Sequence, residues 1–203
     1  MLKLLKFIYS LFSKPISWFA FYSKLFFYFI FPNRLNLLRN RIFYLTFPKI
    51  NQFTICEGVG IVEIGENCSF GYKMGGFHRG GSIELQARYK DSLIRIGNNV
   101  STNNNIMLCA ANYIEIGDNT LIGQNVIIMD HEAHGIDPDK RRQIGEIGKV
   151  IIGKNTWLGN NVTILKNSEI GDNSIVATGA VVSGKFPANH IIGGIPAKII
   201  KEI

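Results

Sequence analysis

The stretch IGKNTWLGNNVTILKNSEIGDNSIVATGAV, residues 152–181, consists of five consecutive units of six residues. Each unit starts with Ile, Leu or Val, has Asn or Gly fourth and carries a small or β-branched residue fifth, and Gly is the commonest second residue. The same register runs through residues 116–127, and single units begin at Ile64 and Ile96. An amphipathic helix repeats its apolar residues every three or four positions, and antiparallel strands place turn signals about every eight to twelve, so a period of six excludes both.

The residue types at each position explain the shape that the repeat predicts. A branched aliphatic residue at position one and a smaller residue at position five point inward from a short strand. Asn and Gly at position four tolerate the left-handed backbone conformation that a sharp corner requires. Each unit is then one strand and one corner, and three units close a triangular coil on which the next coil stacks. We therefore predict an all-β fold, a parallel β-helix.

The basic excess of the chain is confined to one end. The formal net charge is +7, but residues 1–50 hold eight Lys and Arg and no acidic residue, and the first acid is Glu57. Residues 51–203 carry 14 basic and 15 acidic side chains. The N-terminal cations are interleaved with 15 of the chain's 23 aromatic residues. This distribution argues against nucleic-acid binding and indicates a local partner such as an anionic membrane surface.

Residues 1–50 therefore form a unit of their own, a basic, aromatic-rich helical segment that precedes a β-helix domain at 51–203. Within it, residues 16–31 (ISWFAFYSKLFFYFIF) are almost wholly apolar, but the run is shorter than the roughly 20 residues that span a bilayer and contains Lys24. We interpret residues 1–31 as a helix lying in the membrane interface. The alternatives are a hydrophobic cap packed on the protein or on another subunit, and a spanning signal-anchor. Residues 35–44 are predicted to form a short basic amphipathic helix.

Two stretches interrupt the repeat. Residues 70–95 contain a glycine-rich piece that does not match the phosphate-binding loop of nucleotide hydrolases, and we expect an irregular coil or an acceptor-side loop there. Residues 129–149 (MDHEAHGIDPDKRRQIGEIGK) are polar and hold two of the four histidines. A loop extruded from a rigid scaffold is where function tends to concentrate.

The cysteines and histidines give little support to a metal centre. Cys56, Cys68 and Cys109 form no C-x-x-C pair, so we predict that they are small apolar fillers in a reducing compartment. Asp130, His131 and His134 are close in sequence, but the remaining histidines show no matching spacing. No metal is therefore expected.

These motifs resemble the hexapeptide-repeat acyltransferase family, which includes the maltose and galactoside O-acetyltransferases and bacterial polysaccharide O-acetyltransferases. The resemblance covers roughly residues 57–200. It implies a left-handed β-helix, a homotrimer with active sites between subunits, and acetyl-CoA as co-substrate.

The loop AHGIDP, residues 133–138, is similar to the T-H-P-x-D-P loop of the maltose and galactoside enzymes. In those enzymes the histidine is the general base, so the resemblance implies this role for His134, and the ordinary pKa of imidazole suits it. Gly135 replaces the usual proline, and the segment that leads into the loop is one residue longer than in those enzymes. His131 therefore remains an alternative base, and Asp130 an alternative orienting residue. Asn103 matches the family asparagine that contacts the acceptor, although a corner asparagine that stabilises a turn is the plainer interpretation.

The C-terminal half is similar to the coenzyme A groove of the family. Its N-x-W-I-G motif corresponds to NTWLG at residues 155–159, and its terminal P-x-N and G-x-P-A-K motifs correspond to residues 187–189 and 194–198. The resemblance assigns coenzyme binding to Trp157, Gly159, Asn160, Ala177, Thr178, Ser183, Lys185, Lys198 and Lys201, the lysines near the phosphates. Trp157 also has a plain interpretation as a large side chain covering a corner.

The sequence thus predicts an acetyl-CoA-dependent O-acetyltransferase that acts on a sugar hydroxyl of a bacterial surface glycan or its precursor by direct transfer in a ternary complex. We expect a cytoplasmic protein, peripheral at the cytoplasmic face of the membrane. One alternative is an N-acyltransferase acting on a nucleotide amino sugar or a small amine. The other is a non-enzymatic, membrane-tethered β-helix scaffold, which predicts no coenzyme A binding.

Overall fold

The protein is a left-handed parallel β-helix whose short strands stack into three flat sheets. The computed structural model describes residues 15–203. Each strand pairs with the third strand along the chain, so the chain passes from sheet I to sheet II to sheet III and back to sheet I in every coil. We call the corners of this prism the I–II, II–III and III–I edges.

The strands of each sheet stack in chain order, and all pairs are parallel except the last, β20 with β21. Sheet I contains β1 (Ile42–Tyr44), β4 (Ile61–Ile64), β7 (Leu93–Ile96), β10 (Tyr113–Ile116), β13 (Lys149–Ile152), β16 (Glu169–Ile170) and β19 (Lys185–Phe186). Sheet II contains β2 (Lys49–Ile50), β5 (Ser69–Phe70), β8 (Ser101–Thr102), β11 (Leu121–Ile122), β14 (Trp157–Leu158), β17 (Ile175–Val176), β20 (His190–Gly194) and β21 (Ala197–Glu202). Sheet III contains β3 (Thr54–Gly58), β6 (Ile83–Ala87), β9 (Ile106–Ala110), β12 (Ile127–Met129), β15 (Thr163–Ile164) and β18 (Val181–Val182).

The corners confirm the role predicted for asparagine. Ten asparagines at or near the edges have a positive φ, between +52° and +64°, a region that asparagine tolerates better than most residues. They are Asn67, Asn99, Asn105, Asn119, Asn125, Asn155, Asn161, Asn167, Asn173 and Asn189. Their amides also bond from coil to coil, as Asn105 does to Asn125 at 2.8 Å and Asn125 to Asn161 at 3.0 Å. The fourth position therefore sets the corner and ties successive coils together.

Glycine at the second position has a different cause, because the coils approach each other closely there. A Cβ on Gly117 would lie 2.6 Å from backbone atoms of Gly153 and Lys154 in the next coil. No side chain fits that space, so this position requires glycine for its lack of bulk rather than for its backbone freedom.

The core is a column of aliphatic side chains inside the prism. Ile114, Val150, Leu158, Val162 and Ile164 are fully buried, as position one and position five of the repeat predict. The three cysteines are buried and unpaired, in agreement with their predicted role as fillers. Burial raises the pKa of the Cys56 thiol.

The N-terminal segment closes the open end of the prism. Residues 15–25 are α-helical (α1), a π-helical turn follows at Phe26–Ile30, and α2 is Arg34–Leu38. Leu25 and Phe29 are buried in the core, and the buried Asn33 amide donates to the Thr54 carbonyl oxygen while its oxygen accepts from the Cys56 N–H. These contacts agree with the helical-cap alternative for the part of the segment that the structure describes.

The other face of this cap is exposed. Trp18 and Phe19 are 66% and 76% accessible, and Phe27, Phe31 and Leu35 are also exposed. Within residues 15–203 no helix is both long and apolar enough to cross a membrane. Residues 1–14, part of the predicted membrane-surface segment, lie outside the described residues.

Three expectations about the N-terminal half were wrong. A helix over residues 35–44 is not formed, because α2 ends at Leu38 and β1 pairs with β4 from Ile42 onward. The first coil consequently starts at Ile42, before the boundary expected at residue 51. Residues 70–95 are also not irregular throughout, since β6 and β7 are regular strands, and the residues that leave the coil are 71–82 and a short turn at 88–92.

Candidate active site

The loop at residues 129–149 leaves the prism at the III–I edge, between β12 and β13. Asp130 holds its starting point. The carboxylate is fully buried and accepts the N–H groups of Ala111, Asn112 and Tyr113 at 2.7 to 2.8 Å, and it also contacts His131 Nδ1 at 2.9 Å. Every partner is a donor, which an ionised carboxylate accommodates. Asp130 is therefore a clamp between the loop and the adjacent coil.

His131 is buried by this arrangement. Its exposed fraction is 4%, and its Nε2 has no hydrogen-bond partner among the described residues. Because the carboxylate oxygen can only accept, Nδ1 carries the proton and Nε2 holds a lone pair. The ring borders a cavity of about 380 Å³ that is also lined by Lys166, Asn167 and Ser183. His131 thus keeps a chemically competent nitrogen, but an enclosed one.

His134 is exposed on the same loop and is oriented by a backbone group. Its Nδ1 lies 2.8 Å from the carbonyl oxygen of Arg141. A carbonyl oxygen only accepts, so Nδ1 carries the proton and the free Nε2 of the neutral ring is basic. The loop turns back through a short 3-10 helix, Pro138–Lys140, which the Asp137 side chain caps by accepting the Asp139 N–H. His134 is therefore an exposed histidine whose Nδ1 is engaged by the backbone of its own loop.

A second set of contacts fixes the loop to the prism. Lys166 forms ion pairs with Glu132 and Glu146, one from each arm of the loop. Hydrogen bonding to Glu146 raises the pKa of Lys166, and the same contact lowers the pKa of Glu146. Sequence reasoning missed this network, because the three residues are separated by up to 34 positions in the chain.

Asn103 lies at the II–III edge, directly after β8. It borders a groove of about 550 Å³ along sheet II, which is also lined by Tyr72, Leu121, Trp157 and Asn160. The Asn103 oxygen accepts the N–H of Asn104 at 2.8 Å, as in an asparagine that stabilises a turn, while the side chain still borders the groove. The structure thus brings the residue predicted to contact the sugar acceptor into the same groove as Trp157 and Asn160, which are predicted to bind the coenzyme.

Most residues assigned to coenzyme binding share that edge. Gly159 and Asn160 follow β14, and Ala177 and Thr178 follow β17 one coil further on. A Cβ on Gly159 would lie 2.7 Å from the Thr178 backbone nitrogen, so these coils are in close contact. Lys198 and Lys201 belong to β21, and Lys198 pairs with Gly193, whose Cβ position would be 3.0 Å from the Ala177 methyl group.

Ser183 and Lys185 are placed elsewhere. Ser183 follows β18 at the III–I edge and borders the His131 cavity. Lys185 lies on the outer face of sheet I and pairs with Glu169 at 2.9 Å. They do not join the other assigned coenzyme residues in a single chain.

The predicted site is therefore divided between two edges of the prism. His134 extends from the III–I edge, whereas Asn103 lies at the II–III edge and Trp157 on the adjoining face of sheet II. In residues 15–203 no group of three or more His, Cys, Asp or Glu side chains has the arrangement of a metal site.

Known proteins share both the repeat and the fold. The family described as "Bacterial transferase hexapeptide (six repeats)" matches residues 149–184, and the "Hexapeptide repeat of succinyl-transferase" matches residues 113–137. The chain is 33% identical over 179 residues to the Escherichia coli K12 protein named "Putative lipopolysaccharide biosynthesis O-acetyl transferase WbbJ". The similarity covers 82% of this chain and 85% of WbbJ.

Two solved structures are similar. A galactoside acetyltransferase in complex with coenzyme A shows 33% identity and a TM-score of 0.51 over 54% of this chain and 55% of that chain. A maltose O-acetyltransferase from Clostridium difficile 630 shows 27% identity and a TM-score of 0.54 over 85% and 76%. With the repeat, the three-sheet prism and the similarity over most of WbbJ, the chain belongs to the hexapeptide-repeat acetyltransferase family.

Proposed function

We propose that this protein is an acetyl-CoA-dependent O-acetyltransferase that modifies a sugar hydroxyl of a bacterial surface glycan or its precursor. The observation that carries the proposal is the orientation of His134, whose Nδ1 is held by the Arg141 carbonyl and whose Nε2 is free. The coenzyme A complex of the galactoside enzyme and the name of WbbJ support the donor and the acceptor class.

The chemistry is a direct transfer between two bound substrates. His134 Nε2 removes the proton from the sugar hydroxyl as that oxygen attacks the thioester carbonyl. When the tetrahedral intermediate collapses, the C–S bond breaks, and the protonated His134 gives its proton to the leaving sulfur, so that the products are the acetylated sugar and coenzyme A with a free thiol. A backbone N–H at Asn160, beside Trp157, stabilises the negative oxygen of the tetrahedral intermediate. Asn103 holds the acceptor, and Lys198 and Lys201 bind coenzyme phosphates.

This reaction requires a second copy of the chain. His134 and Asn103 lie at different edges of one prism, so a complete site forms where the III–I edge of one subunit faces the II–III edge of another. A homotrimer with three such clefts satisfies this requirement by cyclic symmetry. Ser183 and Lys185, which are remote from Trp157 within one chain, are then on the side of the cleft that carries the loop.

We further propose that the N-terminal segment binds a membrane surface. Residues 15–31 expose Trp18, Phe19 and Phe27, and residues 1–50 carry eight cations and no acid. Exposed aromatic rings with interspersed cations suit the interface of an anionic bilayer. Residues 1–31 are thus assigned to the inner leaflet, next to glycan intermediates assembled on the cytoplasmic side.

The test is acetyl-CoA binding by calorimetry and thiol release with the wild type, His134→Ala and His131→Ala. We expect all three proteins to bind acetyl-CoA, and thiol release to fall about 10²- to 10⁴-fold in His134→Ala, the usual contribution of a general base. Absence of binding in all three proteins would favour the scaffold alternative. Activity lost only in His131→Ala would transfer the role of base to that residue.

Transfer to an amine acceptor distinguishes the N-acyltransferase alternative from the proposed O-acetyltransferase. An unprotonated amine needs less assistance from a base than a hydroxyl does. Transfer to amino sugars that survives in His134→Ala at high pH, without transfer to hydroxyl acceptors in the wild type, would replace the sugar hydroxyl by an amine.

A further inference from the structure

A loop at the II–III edge carries chemistry that the transfer step does not use. Residues 71–82 connect β5 to β6, contain no acidic residue and include Lys73 and Arg79. Tyr72, Met74 and Phe77 are exposed. A short segment that projects aromatic and cationic side chains beside a groove is suited to a ligand with both a sugar ring and a negative charge.

The loop is held firmly against the groove. The buried Asn104 side chain accepts the N–H of Tyr72 at 2.8 Å and donates to the carbonyl oxygens of Tyr72 and Gly76. The Gln52 amide donates to the Phe77 carbonyl oxygen at 2.8 Å. At Gly75 a Cβ would lie 2.2 Å from the Asn103 oxygen, so the loop backbone rests on the predicted acceptor residue. The loop is therefore a fixed wall of the groove.

The groove has two chemically different ends. Trp157 and Asn160 line the end that the proposed function assigns to the coenzyme, and Lys49 lines the end near the first coil. Between them lie neutral polar groups, Ser69 and Ser101, and no acidic residue lines the groove. Hydroxyl and amide groups can bind sugar hydroxyls along this floor.

Lys49 lines the first-coil end of the groove, and Lys73 directly follows Tyr72, which lines the same groove, while Lys24 of α1 is within electrostatic range of Lys73. Lys24 in α1, Lys49 in β2 and Lys73 in the loop form no ion pair with a carboxylate in the described part of the chain. Burial and then the positive charge of Lys73 lower the pKa of Lys24, so the two ammonium groups are close enough to repel. An anion bound there would relieve this repulsion.

We propose that the groove binds an acceptor saccharide that carries a phosphate group, with the sugar over Ser69, Ser101 and Asn103 and the phosphate at Lys49 and Lys73. The inference rests on the proposed function, because it names the acceptor of the same site. Lysine ammonium groups are point charges that bind phosphate, whereas a planar carboxylate is matched best by the arginine fork. The exposed aromatic cap at the same end places this phosphate at the bilayer side of the enzyme.

The test uses three ligands that share one sugar: galactose 1-phosphate, galactose and galacturonic acid. Each is titrated by calorimetry into protein saturated with coenzyme A, so that other phosphate-binding lysines are occupied. We expect galactose 1-phosphate to bind at least tenfold more tightly than the other two. The Lys49→Ala/Lys73→Ala double variant should lose this preference, and Lys90→Ala, an exposed lysine at the III–I edge, should retain it.

Several results would overturn the inference. They are equal binding of the three ligands or binding of none, tighter binding of galacturonic acid, and a phosphate preference that persists in the double variant. Displacement of galactose 1-phosphate by phosphatidylglycerol vesicles would assign the lysines to lipid headgroups instead. Coenzyme A binding in the same samples separates the two proposals, because its absence refutes the proposed function, whereas its presence without a phosphate preference refutes only this inference.

Discussion

Asp130→Asn is the substitution that distinguishes the two histidines of the loop. The change keeps the size of the side chain but replaces one acceptor oxygen by an NH₂ group. If the amide nitrogen takes the Oδ2 position, it faces the N–H groups of Asn112 and Tyr113, and two buried donors lose their acceptor. If it takes the Oδ1 position, it faces the N–H of Ala111 and Nδ1 of His131.

The second orientation costs less, because His131 can shift its proton to Nε2 and accept at Nδ1. The N–H of Ala111 then loses its acceptor, at about 1–3 kcal/mol, and Nε2 of His131, which has no partner among the described residues in either tautomer, becomes an unpaired donor instead of an unpaired acceptor. The remaining bonds also lose the strength that a charged acceptor gives them. We expect Asp130→Asn to lower the free energy of unfolding by about 2–4 kcal/mol. Urea unfolding at one fixed protein concentration measures it, since an oligomer's stability depends on concentration.

The matched control is Asp139→Asn, an exposed aspartate in the same loop, which should change stability by less than about 0.5 kcal/mol. Equal stability of the two variants would refute the clamp. Thiol release adds the functional answer. With His134 as base, folded Asp130→Asn keeps most of its activity. A folded Asp130→Asn protein that loses thiol release together with His131→Ala, while His134→Ala keeps it, would mean that the His131 tautomer matters and that His131 is the base.

Three further predictions concern the prism and its cap. Gly117→Ala should destabilise the protein by about 1–3 kcal/mol in urea unfolding, because the added Cβ meets the backbone of the next coil. Gly80→Ala, with open space around it, should not change the stability, and equal effects of the two substitutions would contradict the close-contact explanation. Burial and the hydrogen bond to Glu115 raise the pKa of Tyr113 to about 12, so the contribution of this shift to stability is full below pH 10 and is lost as the pH rises towards 12. The tyrosinate absorbance of the wild type minus that of Tyr113→Phe should therefore titrate near pH 12, and a midpoint at pH 10 would refute this. The double variant Trp18→Ser/Phe19→Ser should bind phosphatidylglycerol vesicles more than tenfold more weakly in co-sedimentation, since each aromatic ring buried in the bilayer contributes about 1.5–3 kcal/mol. Ile203→Ser, a change at an exposed residue of the C terminus, should not weaken binding, and equal co-sedimentation of both variants would exclude the aromatic face from the membrane contact.

The repeat made the prism predictable, because its physical requirements are local. Asn119 and Asn161 adopt the left-handed conformation that their position in the unit implies, and Ile152 and Leu158 point inward as position one predicts. Where the period is disturbed, the prediction failed. β6 is five residues long, and its side chains are buried alternately, at Ile83, Leu85 and Ala87. This period of two does not match the six-residue repeat on which the prediction was based.

The first coil was hidden by its composition. The aromatic, basic segment before residue 51 indicates a helix more strongly than a strand, although the end of α2 carries a readable signal. Asn40 has a φ of +52°, and an asparagine in this conformation commonly ends a helix. If Asn40 had been interpreted as the end of the helix, Ile42–Tyr44 could have been predicted as a strand.

The site was predictable in its composition but not in its geometry. The break in the repeat located the polar loop and its histidines. The burial of His131 depends on Asp130 reaching backbone groups 17 to 19 residues earlier in the chain, and no local pattern reports that contact. The separation of His134 from Asn103 follows from the order of the three sheets, which becomes certain only when every strand is placed.

The measurement that tests the central claim most directly is complementation between two inactive chains. Asn103→Ala keeps an intact His134, and His134→Ala keeps an intact Asn103, so a cleft between one chain of each kind contains both groups. Mixed in equal amounts and assembled together, they should recover about a quarter of wild-type acetyl transfer, the fraction of clefts that pair the two intact residues in a randomly assembled cyclic oligomer. Activity no greater than the sum of the two separate variants would contradict a site that is shared between subunits.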